Sequence, residues 1–156
     1  FTACASLTSV TLSKNLITLE DSTFSACKAL ETVIIPEGLE TINQNAFYGC
    51  NKLNNLTIPS SVKTIGDRSF SNCYGLTDIT IKEGVTTIED GAFFNCKQLV
   101  TITLPSTITR IGNYIFNYCS ALTTINFNGT QSQWDAITKD DSLWKGNETA
   151  KVTILK

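Results

Sequence analysis

The chain has 156 residues, 42% of them hydrophobic and 17% charged, which suits one domain with a buried core and excludes a disordered segment. A net charge of −2 with 12 scattered Lys and Arg gives no basic stripe for nucleic acid, and no apolar run approaches the roughly 18 residues that span a bilayer. Histidine is absent, which removes Ser–His and Cys–His nucleophile pairs and His-ligated metals; methionine is absent too, so Phe1 is not expected to be a natural start, and further repeats or another domain are expected upstream.

From its first residue the chain repeats. Phe1, Phe24, Phe47, Phe70, Phe93 and Phe116 step by 23 residues, and so do Cys4, Cys27, Cys50, Cys73, Cys96 and Cys119, which are all six cysteines. Leu7, Leu30, Leu53, Leu76, Leu99 and Leu122 keep the same register. Three residues later come Val10, Val33, Leu56, Ile79, Ile102 and Ile125, and two after those Leu12, Ile35, Ile58, Ile81, Leu104 and Phe127. Each unit closes on a pair such as Val62 and Ile65 or Val85 and Ile88.

The spacings inside one unit give its shape. Phe70, Cys73 and Leu76 lie three apart, the period of a tight turn, and predict a single-turn or 3₁₀ helix. Leu76 then leads to Ile79 and Ile81 at period two, with Thr77 and Thr80 between, which predicts a short strand. Pro36, Pro59 and Pro105 follow the last inward residue of their strands and end the pairing, because proline has no N–H to give a ladder. An extended return through Val85 and Ile88 completes the coil, and Gly66 and Gly112 mark the next bend. Such a unit cannot bury its apolar side alone, so successive coils stack, their strands pair in parallel, and one core runs through the stack. The expected fold is an α/β solenoid, a right-handed leucine-rich-repeat superhelix of about six coils, with a concave parallel sheet and short helical or 3₁₀ turns on the convex side.

The unit F-x-x-C-x-x-L-x-x-I-x-I-P-x-x-V-x-x-I-x-x-x-A, carried best by FSNCYGLTDITIKEGVTTIEDGAF and FFNCKQLVTITLPSTITRIGNYIF, resembles the 23-residue leucine-rich repeat of BspA-like surface proteins, also called the Treponema pallidum type. It differs from commoner leucine-rich repeats in lacking their Asn ladder: only Asn15 stands there, and Gly38, Ser61, Gly84 and Thr107 take the other places. The resemblance implies an extracellular or cell-surface, non-catalytic module for adhesion or protein recognition, with an extracellular protein or glycan as partner and no cofactor.

Residues 1–127 are read as the array and 128–156 as a C-terminal cap. The tail GTQSQWDAI resembles a terminating segment of such arrays, Trp134 and Trp144 are expected to lie across the last coil, and Val152, Ile154 and Leu155 offer a final strand.

Among candidate sites, the cysteines allow three disulfides, but equivalent inward positions on neighbouring coils lie parallel and do not face one another, so a reduced core ladder with Phe24, Phe47, Phe70, Phe93 and Phe116 is expected. One Cys per coil cannot surround a metal. The outward strand positions form two columns on the concave face: Ser9, Thr32, Asn55, Asp78, Thr101 and Thr124, and Thr11, Ile34, Thr57, Thr80, Thr103 and Asn126. Their hydroxyls and amides can hydrogen-bond a protein or a sugar, although Thr also suits any exposed strand; the interruptions by Ile34, Asn55, Asp78 and Asn126 exclude a regular ice-binding Thr array. Tyr48, Tyr74, Phe94, Tyr114 and Tyr118 gather near the helical edge, as a rim or as a shield for the core. Glu20-Asp21 and Glu89-Asp90 are read as helix caps, and Asp140-Asp141 is too sparse for calcium. Sequons stand at Asn55, Asn128 and Asn147. A structural spacer is the competing role.

Overall fold

A computed structural model describes residues 1–139, 141–145 and 150–156 of the chain. The chain winds as a parallel β-solenoid of about six turns. Each of the first five coils has one strand on a long face and a two-residue strand on the return: β1 (Ser9–Thr11) and β2 (Thr18–Leu19), β3 (Thr32–Ile34) and β4 (Thr41–Ile42), β5 (Asn55–Ile58) and β6 (Thr64–Ile65), β7 (Asp78–Ile81) and β8 (Thr87–Ile88), β9 (Thr101–Pro105) and β10 (Arg110–Ile111). The sixth long strand is β11 (Thr124–Asn128), followed by α1 (Gln131–Ala136), a 3₁₀ turn (Asp141–Trp144) and β12 (Lys151–Ile154). The return strands form their own five-stranded parallel sheet, β10-β8-β6-β4-β2. The long face is β12-β11-β9-β7-β5 plus the separate pair β1-β3.

Register follows the period. Thr57 pairs with Thr80 and Thr80 with Thr103, each 23 residues on. Burial follows it too: Cys27, Cys50, Cys73, Cys96 and Cys119 are wholly buried, as are Phe47, Phe70, Phe93 and Phe116 and the Leu ladder from Leu30 to Leu99. The phenyl rings stack face to face down the molecule, with centroids 5.2 to 6.1 Å apart and planes within 8 to 16° of parallel. That spacing is the offset stack that aromatic pairs favour.

Cysteine adds a polar link to this core. The Cys73 thiol donates to the Phe47 carbonyl at 3.2 Å, and that carbonyl also accepts the Cys50 backbone N–H at 3.2 Å. The same pattern recurs from Cys27 to Phe1, Cys50 to Phe24, Cys96 to Phe70 and Cys119 to Phe93, at 3.0 to 3.2 Å. Both lone pairs of a buried carbonyl are thus used by a group small and apolar enough to fill the core. All six cysteines are free thiols.

The expected short helices after each Phe do not form; the described residues of the repeats hold only turns there. The reason is hydrogen bonding between coils. The N–H groups of Ser22, Phe24 and Ala26 donate to the carbonyls of Gln44, Ala46 and Tyr48 on the next coil at 2.9, 2.8 and 2.6 Å, while Thr23, Ser25 and Cys27 close turns on Glu20, Ser22 and Phe24. A helix would direct all these N–H groups along its own axis. The alternation requires left-handed residues, and each full coil has two: Ser22 and Ala26, Asn45 and Gly49, Arg68 and Asn72, Gly91 and Asn95, Tyr114 and Tyr118. The acids read as helix caps therefore have no helix to cap. Glu20 accepts from the Asn43 amide, Glu89 pairs with Arg110, and the Asp90 carboxylate accepts the Asn113 N–H at 2.8 Å. Gly66 and Gly112 stand where the preceding coil is too close for a side chain: a Cβ would lie 2.6 Å from the Ile42 carbonyl oxygen and 2.5 Å from the Asp90 nitrogen.

In place of an Asn ladder, the Ser61 and Thr107 hydroxyls donate to the Leu39 and Val85 carbonyls at 2.7 Å. Glu83 binds the next coil through the Ser106 N–H and hydroxyl and the Thr107 N–H, and it reaches two coils on to the Asn128 amide at 2.8 Å.

Burial raises the thiols, pushing Cys50 up to about 12 and holding Cys73 and Cys96 well above the ordinary thiol value. Under native conditions at pH 8, a thiol reagent should therefore modify the half-buried Cys4 alone, and all six cysteines only after unfolding; rapid native modification of Cys73 would contradict the packed ladder. Desolvation alone would raise Glu83, but the bonds from Ser106, Asn128 and Thr107 hold it below its ordinary range. A carboxylate lowered on folding stabilises above its unfolded pKa and loses that contribution as pH falls through the folded value. Glu83→Gln should thus reduce the urea midpoint at pH 7 and converge with the parent at acid pH. Ser69 is wholly buried with no partner for its hydroxyl, in a column where other coils place Ala46 and Ala92. Ser69→Ala should stabilise by about 1 kcal/mol, read as a raised midpoint.

Candidate functional site

The strand face is the expected concave surface. Because side chains alternate along a strand, every inward Val, Leu or Ile places its neighbours outward. Thr32, Ile34, Asn55, Thr57, Asp78 and Thr80 are exposed, whereas Thr101, Thr103, Thr124 and Asn126 are half-buried. Ser9 and Thr11 are exposed on the first coil. The parallel register sets Thr57, Thr80 and Thr103 side by side on consecutive strands. The Asn126 amide lies 3.5 Å from the Thr103 hydroxyl, and the Thr77 hydroxyl donates to Asn55 at 3.3 Å, so part of the hydrogen-bonding capacity is used within the face. Asp78 is the one carboxylate in the two columns, and Ile34 is an apolar exception, 56% exposed.

Sequence reasoning missed a break in this face. No ladder joins β3 to β5: the long face divides there into the pair β1-β3 and the sheet that begins at β5. The Asn55 N–H bonds instead to the Asn54 side chain at 2.6 Å. Asn side chains compete with ladders for nearby N–H groups, and Asn54-Asn55 is the only strand entry here made of two such residues. That dipeptide was the available signal. At the break lies a depression of about 360 Å³ bordered by Ile34, Asn55, Thr57, Asp78 and Thr80.

The other sequence candidates are distributed as follows. Trp134 is buried against Phe127, with ring centroids 5.4 Å apart, and α1 is closed by a capping box between Thr130 and Gln133. β12 extends the strand face by pairing with β11, Thr124 opposite Lys151. Asp140, the side chains of Asp141 and Trp144, and the Asn147 sequon lie outside the described residues. Of the other sequons, Asn55 is exposed and Asn128 is engaged by Glu83. Tyr74 carries Lys97 over its ring at 5.1 Å, and Phe94 meets Tyr118 edge to face at 5.3 Å. Among the described residues, no three His, Cys, Asp or Glu gather as metal ligands, and no helix is long and apolar enough to cross a membrane.

A family model for the BspA-type leucine-rich-repeat region matches residues 1–135 in 6 copies. No curated protein sequence matches the chain. Among solved structures, a leucine-rich-repeat protein of T. pallidum superposes with a TM-score of 0.82 at 25% identity, covering 97% of this chain and 68% of that one. A leucine-rich-repeat protein from Eubacterium ventriosum gives 0.74 at 21% identity, over 100% of this chain and 46% of the other. The pneumococcal vaccine antigen PcpA gives 0.67 at 24% identity, over 81% and 31%. The last two likenesses concern the fold, and this chain spans less than half the length of either protein.

Proposed function

Because this chain belongs to the family of BspA-type leucine-rich-repeat regions, we propose that it is a non-catalytic, extracellular or cell-surface binding module whose strand face holds a protein or glycan of a host or neighbouring cell. The observation that carries this reading is the surface around the β3–β5 break. There an exposed apolar side chain, Ile34, borders Asp78 and the hydroxyls of Thr57 and Thr80 over a depression of about 360 Å³. An apolar centre with a polar surround is the arrangement by which protein interfaces exclude water and fix orientation. Thr57, Asp78 and Thr80 are held on the β5–β7 side by its parallel ladder and Ile34 on the β1–β3 pair, so each side of the break is ordered within its own sheet. The cell-surface assignment is supported by the resemblance of the repeat to those of surface proteins. On this reading residues 128–156 are the cap of the array, with Trp134, buried against Phe127, as its anchor.

The spacer reading draws on the other end of the same face, where Thr101, Thr103, Thr124 and Asn126 are half-buried and uncharged. The two readings separate in one experiment. Immobilised extracellular-matrix proteins and glycans are screened for capture of the full chain, and the Thr57→Arg/Thr80→Arg variant is compared with the parent. Both positions are exposed, so the melting temperature should not change, and capture should fall at least tenfold. Capture undiminished by the two arginines would refute the strand-face site, and a screen without any capture would favour the spacer.

A further inference from the structure

A second depression, of about 420 Å³, lies on the turn segments at the end of the array, away from the strand face. Phe94 and Tyr118 form a corner of it, their rings 5.3 Å apart and 83° from parallel, and Tyr114 is a further wall. Asn117 also lines it. That residue is only 8% exposed, and its amide is not among the buried side-chain atoms left without a partner, so what remains accessible of it faces the pocket.

The tyrosines themselves are unusual. Tyr114 and Tyr118 have φ of 56° and 61°, in the left-handed region. At the same turn positions the earlier coils place Ser22, Asn45, Arg68 and Gly91, and Ala3, Ala26, Gly49, Asn72 and Asn95. A left-handed conformation disfavours a bulky side chain by roughly 1–2 kcal/mol. Neither ring is recovered by burial, since Tyr114 is 43% and Tyr118 59% exposed. The Lys145 ammonium lies over the Tyr114 ring at 5.6 Å, whereas the Tyr118 ring has, among the described residues, only its edge-to-face contact with Phe94; both tyrosines line the same pocket as Asn117.

Arg68, paired with Asp67 at 3.3 Å, and Asp90 border the pocket with opposite charges, and the Lys145 ammonium is held over the Tyr114 ring, so both signs of charge are present and neither alone decides the ligand. The Asp90 carboxylate is oriented by the Asn113 N–H at 2.8 Å, and the absence of a side chain at Gly91 leaves room for Arg68, whose Cγ a Cβ there would approach to 3.2 Å. Aromatic faces suit the C–H face of a sugar ring, and an amide that both donates and accepts suits a pair of neighbouring hydroxyls. We propose that this corner binds a neutral pyranose, with Tyr118 and Phe94 as the stacking surfaces and Asn117 as the group that reads its hydroxyls. The site is separate from the strand face and does not depend on it.

Saturation-transfer NMR on the full chain, with the methyl glycosides of glucose, galactose, mannose and N-acetylglucosamine, tests the proposal. At least one should receive saturation on its ring C–H protons. Tyr118→Asn, the residue type of Asn72 and Asn95 at that turn position, should weaken it at least tenfold while the melting temperature stays level or rises. Asn117→Ser, matching Ser25 and Ser71, should weaken it similarly. Thr57→Arg/Thr80→Arg should leave it unchanged. Absence of transfer from all four glycosides, transfer that survives both pocket substitutions, a melting temperature lowered by Tyr118→Asn, or loss with the strand-face arginines would each overturn the proposal.

Discussion

The distance from one coil to the next governs everything else in this molecule. Hydrogen bonds set it on three sides at once: the long strands, the return strands, and the turn segments whose alternate N–H groups reach the neighbouring coil. Ring stacking and the thiol-to-carbonyl bonds occupy the space so defined. A residue inserted in one coil would move Phe, Cys and Leu out of line with both neighbours together, which explains why the 23-residue period has no slip between Phe1 and Phe116. Cysteine suits its column because few other side chains are compact, apolar and still able to donate one bond to a carbonyl that would otherwise be half-satisfied.

The inward ladders were legible in the sequence because burial is written in residue type, and a 23-residue repeat states it six times over. The turns were not. Three-residue spacing fits a short helix and a run of reversing turns equally well. The left-handed positions carry Ala, Ser, Asn, Arg and Tyr as well as Gly, so the usual glycine signature is missing. Bonds between coils, invisible from within one repeat, decide the matter. The cap reading of Glu89 and Asp90 followed from that mistaken helix; their partners, Arg110 and Asn113, lie 21 and 23 residues on. The candidate site was legible as two outward columns but not as a place along them. What localises it is the break after β3, caused by one Asn side chain taking a backbone N–H.

A repeat array isolates its exceptions. Where the same position is filled several times for structural reasons, a residue that departs from the column without structural benefit stands out against an internal control. Ile34 departs from a column that otherwise holds Thr and Asn, and Tyr114 and Tyr118 depart from columns of small or turn-favouring residues. Ser69 is the contrary case: it departs toward an unpartnered hydroxyl and gains nothing visible by it.

The orientation of the bonds between coils also determines how the molecule bears load. They run along the stack axis, so tension applied between the two ends would peel coils in sequence and would not shear a whole sheet at once. Each released coil of 23 residues would lengthen the chain by roughly 75–80 Å when fully extended. Neighbouring coils are built alike, so the releases would fall at similar forces. Such a chain lengthens stepwise under a pull and gives way one unit at a time, keeping the remaining coils folded.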